Sequence, residues 1–268
     1  MEFQKINEQL LSEFKAIVGD EFVYTNREVL EQNSRDYTED LRFYPDVVVR
    51  PSNAEEISLL LKICNQARVP VTPRGAGTGL SGGALPVFGG LVIATDRLNK
   101  IIKIDERNLQ AIVEPGVINQ VFQNAVMEKG LFYPPDPASR GSCFLGGNLA
   151  ESAGGPKAVK YGVTKDYVLN CEVVLPTGEI IWTGANVLKN STGYNLTQLL
   201  IGSEGTLGII TKIVFKLLPL PTENLLMLVP FCNAEKACEA VSAIFRAGLT
   251  PSALEFMERD CLVFVMRH

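Results

Sequence analysis

At 268 residues the chain is long enough for one large domain or two modest ones, and 46% hydrophobic with 21% charged residues suits a globular protein with a sizeable core. A net charge of -5 argues against a nucleic-acid binder, and the lack of any apolar run of about 18 residues argues against a transmembrane helix. The one histidine, His268, excludes a histidine-built metal site and a Ser-His-Asp triad within the chain, and six cysteines without a CxxC pair suit reduced thiols in the cytoplasm.

The polar, amphipathic start MEFQKINEQL is unlike a signal peptide. Ile6, Leu10, Phe14 and Ile17 fall at helical spacing and predict a helix over 4–18, stopped by Gly19. The mostly polar residues 26–46 read as a lead-in. Three valines predict a buried strand over 46–50. A helix follows, with Ser52 and Glu55 at capping-box spacing and Ile57, Leu60, Leu61 and Cys64 as its apolar stripe.

A strand over 69–72 runs into the densest glycine stretch of the chain, PRGAGTGLSGG at 73–83. Gly75, Gly77, Gly79, Gly82 and Gly83 leave backbone N–H groups free of Cβ atoms, Thr78 and Ser81 add hydroxyls, and Pro73 stiffens the entrance. Arg74 is expected to place a cation at the rim. Such a loop is built to close on an anion of phosphate size. A flexible surface loop is the plainer reading, and the apolar, strand-like flanks oppose it. Gly77, Gly79 and Gly82 spell G-x-G-x-x-G, and Asp96 lies about 20 residues on, as in a Rossmann fingerprint. That fingerprint must open a helix, and Gly83, Pro86, Gly89 and Gly90 forbid one. No Gly-Lys-Ser/Thr follows, so a P-loop is excluded as well.

Beyond a strand over 91–95, strands are predicted over 101–104 and 110–114 and a helix over 118–129. The run YPPDPASRGSCFLGGNLAESAGG (133–155) has too many prolines and glycines for long regular structure. Its apolar Phe144, Leu145, Leu149 and Ala150 favour an ordered loop over a disordered one. A hairpin over 170–183 turns at Pro176-Thr177-Gly178. LLIGSEGTLGIITKIVFKLLP (199–219) gives a glycine turn and a long strand. After the break at 219–223, a strand over 225–229 and a helix over 234–247 are expected, the helix capped by Asn233 and stopped by Gly248. The apolar end, Leu262 to Met266, predicts that the isolated chain associates.

Three of these stretches, in this order, resemble the PCMH-type (vanillyl-alcohol oxidase) FAD-binding flavoproteins, most of all the glycolate oxidase large-subunit and D-lactate dehydrogenase branch. They are VVVRPSNAEEI with PRGAGTGLSGG, then PPDPAS with SCFLGGNLAESAGG and KYG, then IGSEGTLGIIT. The resemblance implies an α+β fold: a lead-in (1–42), a two-subdomain FAD-binding domain (43–222, divided near 98/99), and the start of a substrate-binding cap (223–268) that is truncated. It implies a cofactor site of Pro73, Arg74, Gly75, Ala76, Gly77, Thr78, Gly79, Ser81 and Gly82 around the pyrophosphate. It adds Pro135, Asp136, Ser139, Gly146, Gly147, Asn148, Ser152 and Gly154 along flavin and ribityl chain, and Glu204, Gly208, Ile209 and Ile210 towards the adenosine end.

The activity it implies is oxidation of a 2-hydroxy acid, glycolate or D-lactate, to the 2-oxo acid with hydride transfer to flavin N5. Attachment is expected to be non-covalent, because covalent members commonly use a histidine in the glycine loop and position 76 is alanine; a link through Cys143 is the alternative. The family's substrate-binding arginines and histidines lie in the cap, so no catalytic residue is assigned and no metal site is expected. A non-catalytic FAD-binding module that passes electrons to a sister subunit is the competing function.

Overall fold

The computed structural model describes residues 3–38 and 40–267. The first helix, α1 (Glu8–Val18), starts later than its apolar spacing predicts because the Asn7 side chain accepts from Leu10 N at 2.9 Å and fixes the first turn there. It buries Leu10, Phe14 and Val18 rather than Ile6 and Ile17. The stretch read as a lead-in holds structure of its own: β1 (Val23–Tyr24) and α2 (Arg27–Gln32).

β2 (Val47–Val49) is followed by α3 (Ala54–Ala67), whose cap sits one residue beyond the sequence reading. Asn53 accepts from Glu56 N at 2.8 Å, and the Glu56 carboxylate accepts from Ser52 N and its hydroxyl, each at 2.7 Å. β3 (Val71–Arg74) and β4 (Leu91–Ala94) complete a four-stranded sheet of order β1-β2-β4-β3, with β2, β4 and β3 parallel and β1 antiparallel to β2. Adjacent parallel strands need a long crossover, usually a helix. Between β3 and β4 that crossover is the glycine stretch 75–90, which contains no helix. Pro73 is tolerated because β3 is the sheet's edge, where no ladder donor is lost. One face of the sheet packs on α1 and α3, with Phe14, Val47, Val49, Ile57, Leu60, Leu91 and Ile93 in one core. Burying each such side chain contributes about 1.5–3 kcal/mol.

The second sheet is antiparallel, of order β5-β6-β10-β8-β9, formed by β5 (Ile101–Asp105), β6 (Gln110–Val113), β8 (Val168–Val174), β9 (Ile180–Trp182) and β10 (Ile209–Lys216). α4 (Asn119–Met127) covers it, and Phe122, Tyr133 and Phe215 meet with ring centroids 4.7–5.4 Å apart. A small ladder joins β7 (Leu131–Phe132) to β11 (Leu218–Pro219). The proline- and glycine-rich run is not wholly irregular: residues Leu145–Glu151 form α5, despite Gly146 and Gly147. Tertiary hydrogen bonds offset the poor propensity, from Leu145 N to Val117 O and from Gly146 N to Pro115 O. Short helices α6 (Ala158–Tyr161) and α7 (Leu196–Leu200) follow.

Beyond Leu217 no described residue is buried. The segment 225–229, expected as a strand, has no strand partner and is exposed; apolar, β-prone residues do not make a strand without a neighbour to pair with. α8 (Ala234–Arg246) forms as its Asn233 cap predicts, and α9 (Arg259–Arg267) carries Leu262, Phe264, Val265 and Met266 exposed.

Candidate functional site

A cavity of about 410 Å³ opens where the two sheets meet, walled by the glycine crossover, the run around α5 and the turn before β10. Volume in this range is usual for a cofactor or ligand site. Fifteen of the residues expected in the site line it: Pro73, Arg74, Gly75, Ala76, Gly77, Thr78, Gly79, Ser139, Gly146, Gly147, Asn148, Glu204, Gly208, Ile209 and Ile210.

The crossover presents its backbone. Among the described residues, none of the N–H groups from Gly75 to Ala84 donates to a protein acceptor. Gly77 is held at φ +69, and a Cβ there would lie 2.2 Å from the Arg74 guanidinium, so the loop folds back onto its own arginine. A Cβ on Gly75 would lie 3.8 Å from Gly147 N, another amide without a protein acceptor, so two glycine-rich stretches far apart in sequence converge on one space.

Arg74 is not the rim cation that the sequence suggests. It is 8% exposed, and its guanidinium donates to Arg35 O at 2.7 Å and to Gln32 O and Ala84 O at 3.3 Å. Burial pushes its pKa down and the nearby Asp36 carboxylate partly opposes that. The side chain ties the start of the crossover to residues 32–35. Backbone amides, rather than a side-chain cation, are what the loop offers an anion.

Six expected residues stand behind the lining. Ser81 donates to Glu151 at 2.8 Å, and Gly82 forms a turn at φ +77. Pro135 O accepts from Asn119 and Gln123. The 4%-exposed Asp136 pairs with Lys157 at 3.0 Å and, more loosely, with Arg140 at 3.8 Å, joining both ends of the long run. Ser152 closes α5 in the left-handed conformation, and Gly154 packs beside Val163. Asn148, which does line the cavity, donates to Asn119, which donates in turn to Pro135 O. The wall is therefore held by one buried amide chain.

The turn before β10 closes the third side. Glu204 adopts φ +53 and donates its amide to Ala150 O at 2.9 Å. Gly205, at φ +75, lies so close to Pro73 that a Cβ would come within 2.4 Å of its ring. The turn thus covers the free edge of β3. Sequence reasoning missed Asp36, Thr95, Pro115, Glu151 and Gly205 in the lining, and raised Cys143 only as an alternative covalent link. Of these, Glu151 and Gly205 lay inside stretches already singled out. Asp36 sits in a polar segment with no periodicity to mark it. Among the described residues no three His, Cys, Asp or Glu side chains converge as metal donors, and no helix is long and apolar enough to cross a membrane.

Comparison with known proteins fits this geometry. The FAD binding domain family matches residues 45–184, and the C-terminal domain of FAD linked oxidases matches residues 220–268. The chain is 47% identical over 232 residues to glycolate oxidase subunit GlcD of Bacillus subtilis, covering 87% of this chain and 49% of that one. It is 41% identical over 274 residues to a D-lactate dehydrogenase of Anaerostipes hadrus, covering 98% and 55%. The chain spans about half the length of these curated relatives. Among solved structures, alkyldihydroxyacetonephosphate synthase superposes with TM-score 0.80 at 24% identity, over 94% of this chain and 48% of that one, a likeness of fold alone. p-Cresol methylhydroxylase superposes with TM-score 0.74 at 25% identity, over 88% and 48%. With two glycine-rich stretches and the turn before β10 enclosing one cavity, and with the family match covering residues 45–184, the chain belongs to the FAD binding domain family of PCMH-type flavoproteins.

Proposed function

We propose that the chain is the cofactor-holding part of an FAD-dependent oxidoreductase that converts a 2-hydroxy acid of the glycolate or D-lactate type into its 2-oxo acid. Residues 43–222 form the cofactor unit in this reading, and 223–268 begin a substrate-side unit. The observation that carries it is that the amides from Gly75 to Ala84 have no protein acceptor among the described residues and that Gly75 packs against the equally unspent Gly147 N in one cavity, which fits a pyrophosphate bridging two halves of a dinucleotide. When bound, FAD supplies hydride acceptance at N5. The protein holds the pyrophosphate through backbone donors, orients flavin and ribityl chain with Asn148 and Ser139 and the adenosine end with the 204–210 turn, and limits water with the apolar Pro115, Pro137, Phe144 and Ile209. Attachment is non-covalent in this reading, because the glycine crossover carries Ala76 where covalent members commonly have a histidine; a link through Cys143, which lines the cavity, is the alternative. Six free thiols suit the reducing cytoplasm.

A second reading, an FAD-binding subunit whose substrate groups come from elsewhere, rests on one observation. The charged residues lining the cavity are Asp36, Glu151, Glu204 and Arg74, and the guanidinium of Arg74 is already engaged with three carbonyls. A 2-hydroxy acid carboxylate therefore finds no free cation there, and the relative named a glycolate oxidase subunit suits a chain with a sister subunit. Visible spectra of the purified chain under anaerobic D-lactate or glycolate separate the two. Bleached flavin bands mean that the substrate groups lie within these residues, unchanged bands favour the subunit reading, and no flavin uptake sinks both.

A further inference from the structure

Among the described residues, the Asp36 carboxylate is the acidic group that reaches the cavity from the polar segment between α2 and β2. Its Oδ1 accepts from Thr38 N at 2.8 Å; its Oδ2 is fully buried and has no partner among the described residues. A buried, unpaired carboxylate oxygen is costly, so it waits for a donor. Arg74 lies near enough for its charge to favour the carboxylate but makes no hydrogen bond to it; its bonds go to the Gln32, Arg35 and Ala84 carbonyls.

The position of the segment narrows what the donor is. Tyr37 N donates to Gly79 O at 3.1 Å, so residues 35–37 lie as a strap over the anion-binding crossover. A carboxylate beside a phosphate site cannot face the phosphate itself. In a dinucleotide the pyrophosphate is flanked on both sides by the 5′ carbons of sugars; the sugar hydroxyls come next along each chain, and the ring N–H groups lie further off. We propose that Asp36 is a cofactor-contact residue whose free oxygen accepts a hydrogen bond from a sugar hydroxyl of the bound dinucleotide. This rests on the cavity holding FAD. Asp96, the acidic residue that the G-x-G-x-x-G spacing would point to, does not line the cavity and pairs with Arg50 at 3.3 Å.

Apo-protein and its Asp36→Asn variant, titrated with FAD, FMN, ADP and inorganic pyrophosphate by calorimetry and flavin fluorescence, test it. Asparagine keeps the turn to Thr38 N but puts an amide where the free oxygen was. FAD should bind about tenfold to a hundredfold more weakly, as expected for a lost hydrogen bond to a charged group. ADP should share the loss if the hydroxyl is on the ribose, FMN if it is on the ribityl chain. Pyrophosphate, which has no hydroxyl, should bind as well as before or better, because a negative charge has gone. FAD affinity unchanged within about twofold, or pyrophosphate weakened as much as FAD, would overturn the assignment. Wild-type protein that takes up no FAD overturns the cofactor reading and this one together, whereas wild-type uptake with an unaffected variant overturns this one alone. If the asparagine variant melts well below wild type, Asp36→Ser, which retains an acceptor for the turn, carries the same comparison.

Discussion

Ser81, midway along the glycine crossover, donates its hydroxyl to Glu151 at the end of α5, 2.8 Å away. The bond is exposed, and it joins the two glycine-rich stretches that wall the cavity. Ser81→Ala is expected to change unfolding free energy by less than about 0.5 kcal/mol, as for other exposed positions. Release of bound FAD should nevertheless quicken several-fold, about the effect of one weak exposed bond, read from the recovery of flavin fluorescence on dilution.

Arg74 acts as a buried tie. Arg74→Lys removes the fork that serves three carbonyls at once, and a loss of about 1–3 kcal/mol in urea unfolding is expected. The salt dependence of FAD binding should keep its slope, because no phosphate contact has been lost. A shallower slope would return Arg74 to the rim.

Gly205 seals the β3 edge. An alanine there combines a left-handed backbone with a methyl 2.4 Å from the Pro73 ring. Strain and overpacking together should lower stability by about 2–4 kcal/mol in urea unfolding and abolish FAD uptake.

The thiols fall into two sets. Burial pushes Cys64 up to about 12 and Cys171 up to about 11, and Cys143 is buried in the cavity wall. The reactive species is the thiolate, so raising the pH from 7 to 9 should leave Cys64 and Cys171 inert in the folded chain. Cys232, Cys238 and Cys261 are exposed and should be modified quickly. Mass spectrometry after brief alkylation should find three labels, and six only in denaturant.

The chain end offers apolar surface without cover: Leu225, Leu226 and Leu228 are each about nine-tenths exposed or more, and α9 adds four large side chains. Association at micromolar concentration is expected by light scattering. Ending the chain at residue 222 should restore a monodisperse species that still takes up FAD.

The glycine stretches were legible because density of that kind has few causes: five glycines in nine positions fix where backbone must approach a ligand, whatever the rest of the fold does. The direction of Arg74 was not legible, since it depends on carbonyls about forty residues earlier that no local pattern reveals. α5 was hidden because its stability comes from Val117 and Pro115 carbonyls and the Asn119–Asn148 pair, outweighing two helix-breaking glycines. The strand read into 225–229 shows the converse: composition states that a segment is ready to pair, and only the tertiary structure states whether a partner exists. Asp36 is legible in neither way, being one acidic residue among several in a polar segment.

The crossover between β3 and β4 gives the cofactor a second role, in the life of the polypeptide. The segment we propose as the pyrophosphate grip is also the only covalent path between two neighbouring strands of the first sheet, and it holds no helix to stiffen it. Without ligand it is the natural place for a protease to enter, and one cut there parts the sheet's edge from its centre. With FAD in place, opening the loop costs the binding free energy as well, and protection grows with the logarithm of free cofactor over its dissociation constant. Free flavin is therefore expected to lengthen the survival of the folded chain under protease, as limited proteolysis with and without FAD would show.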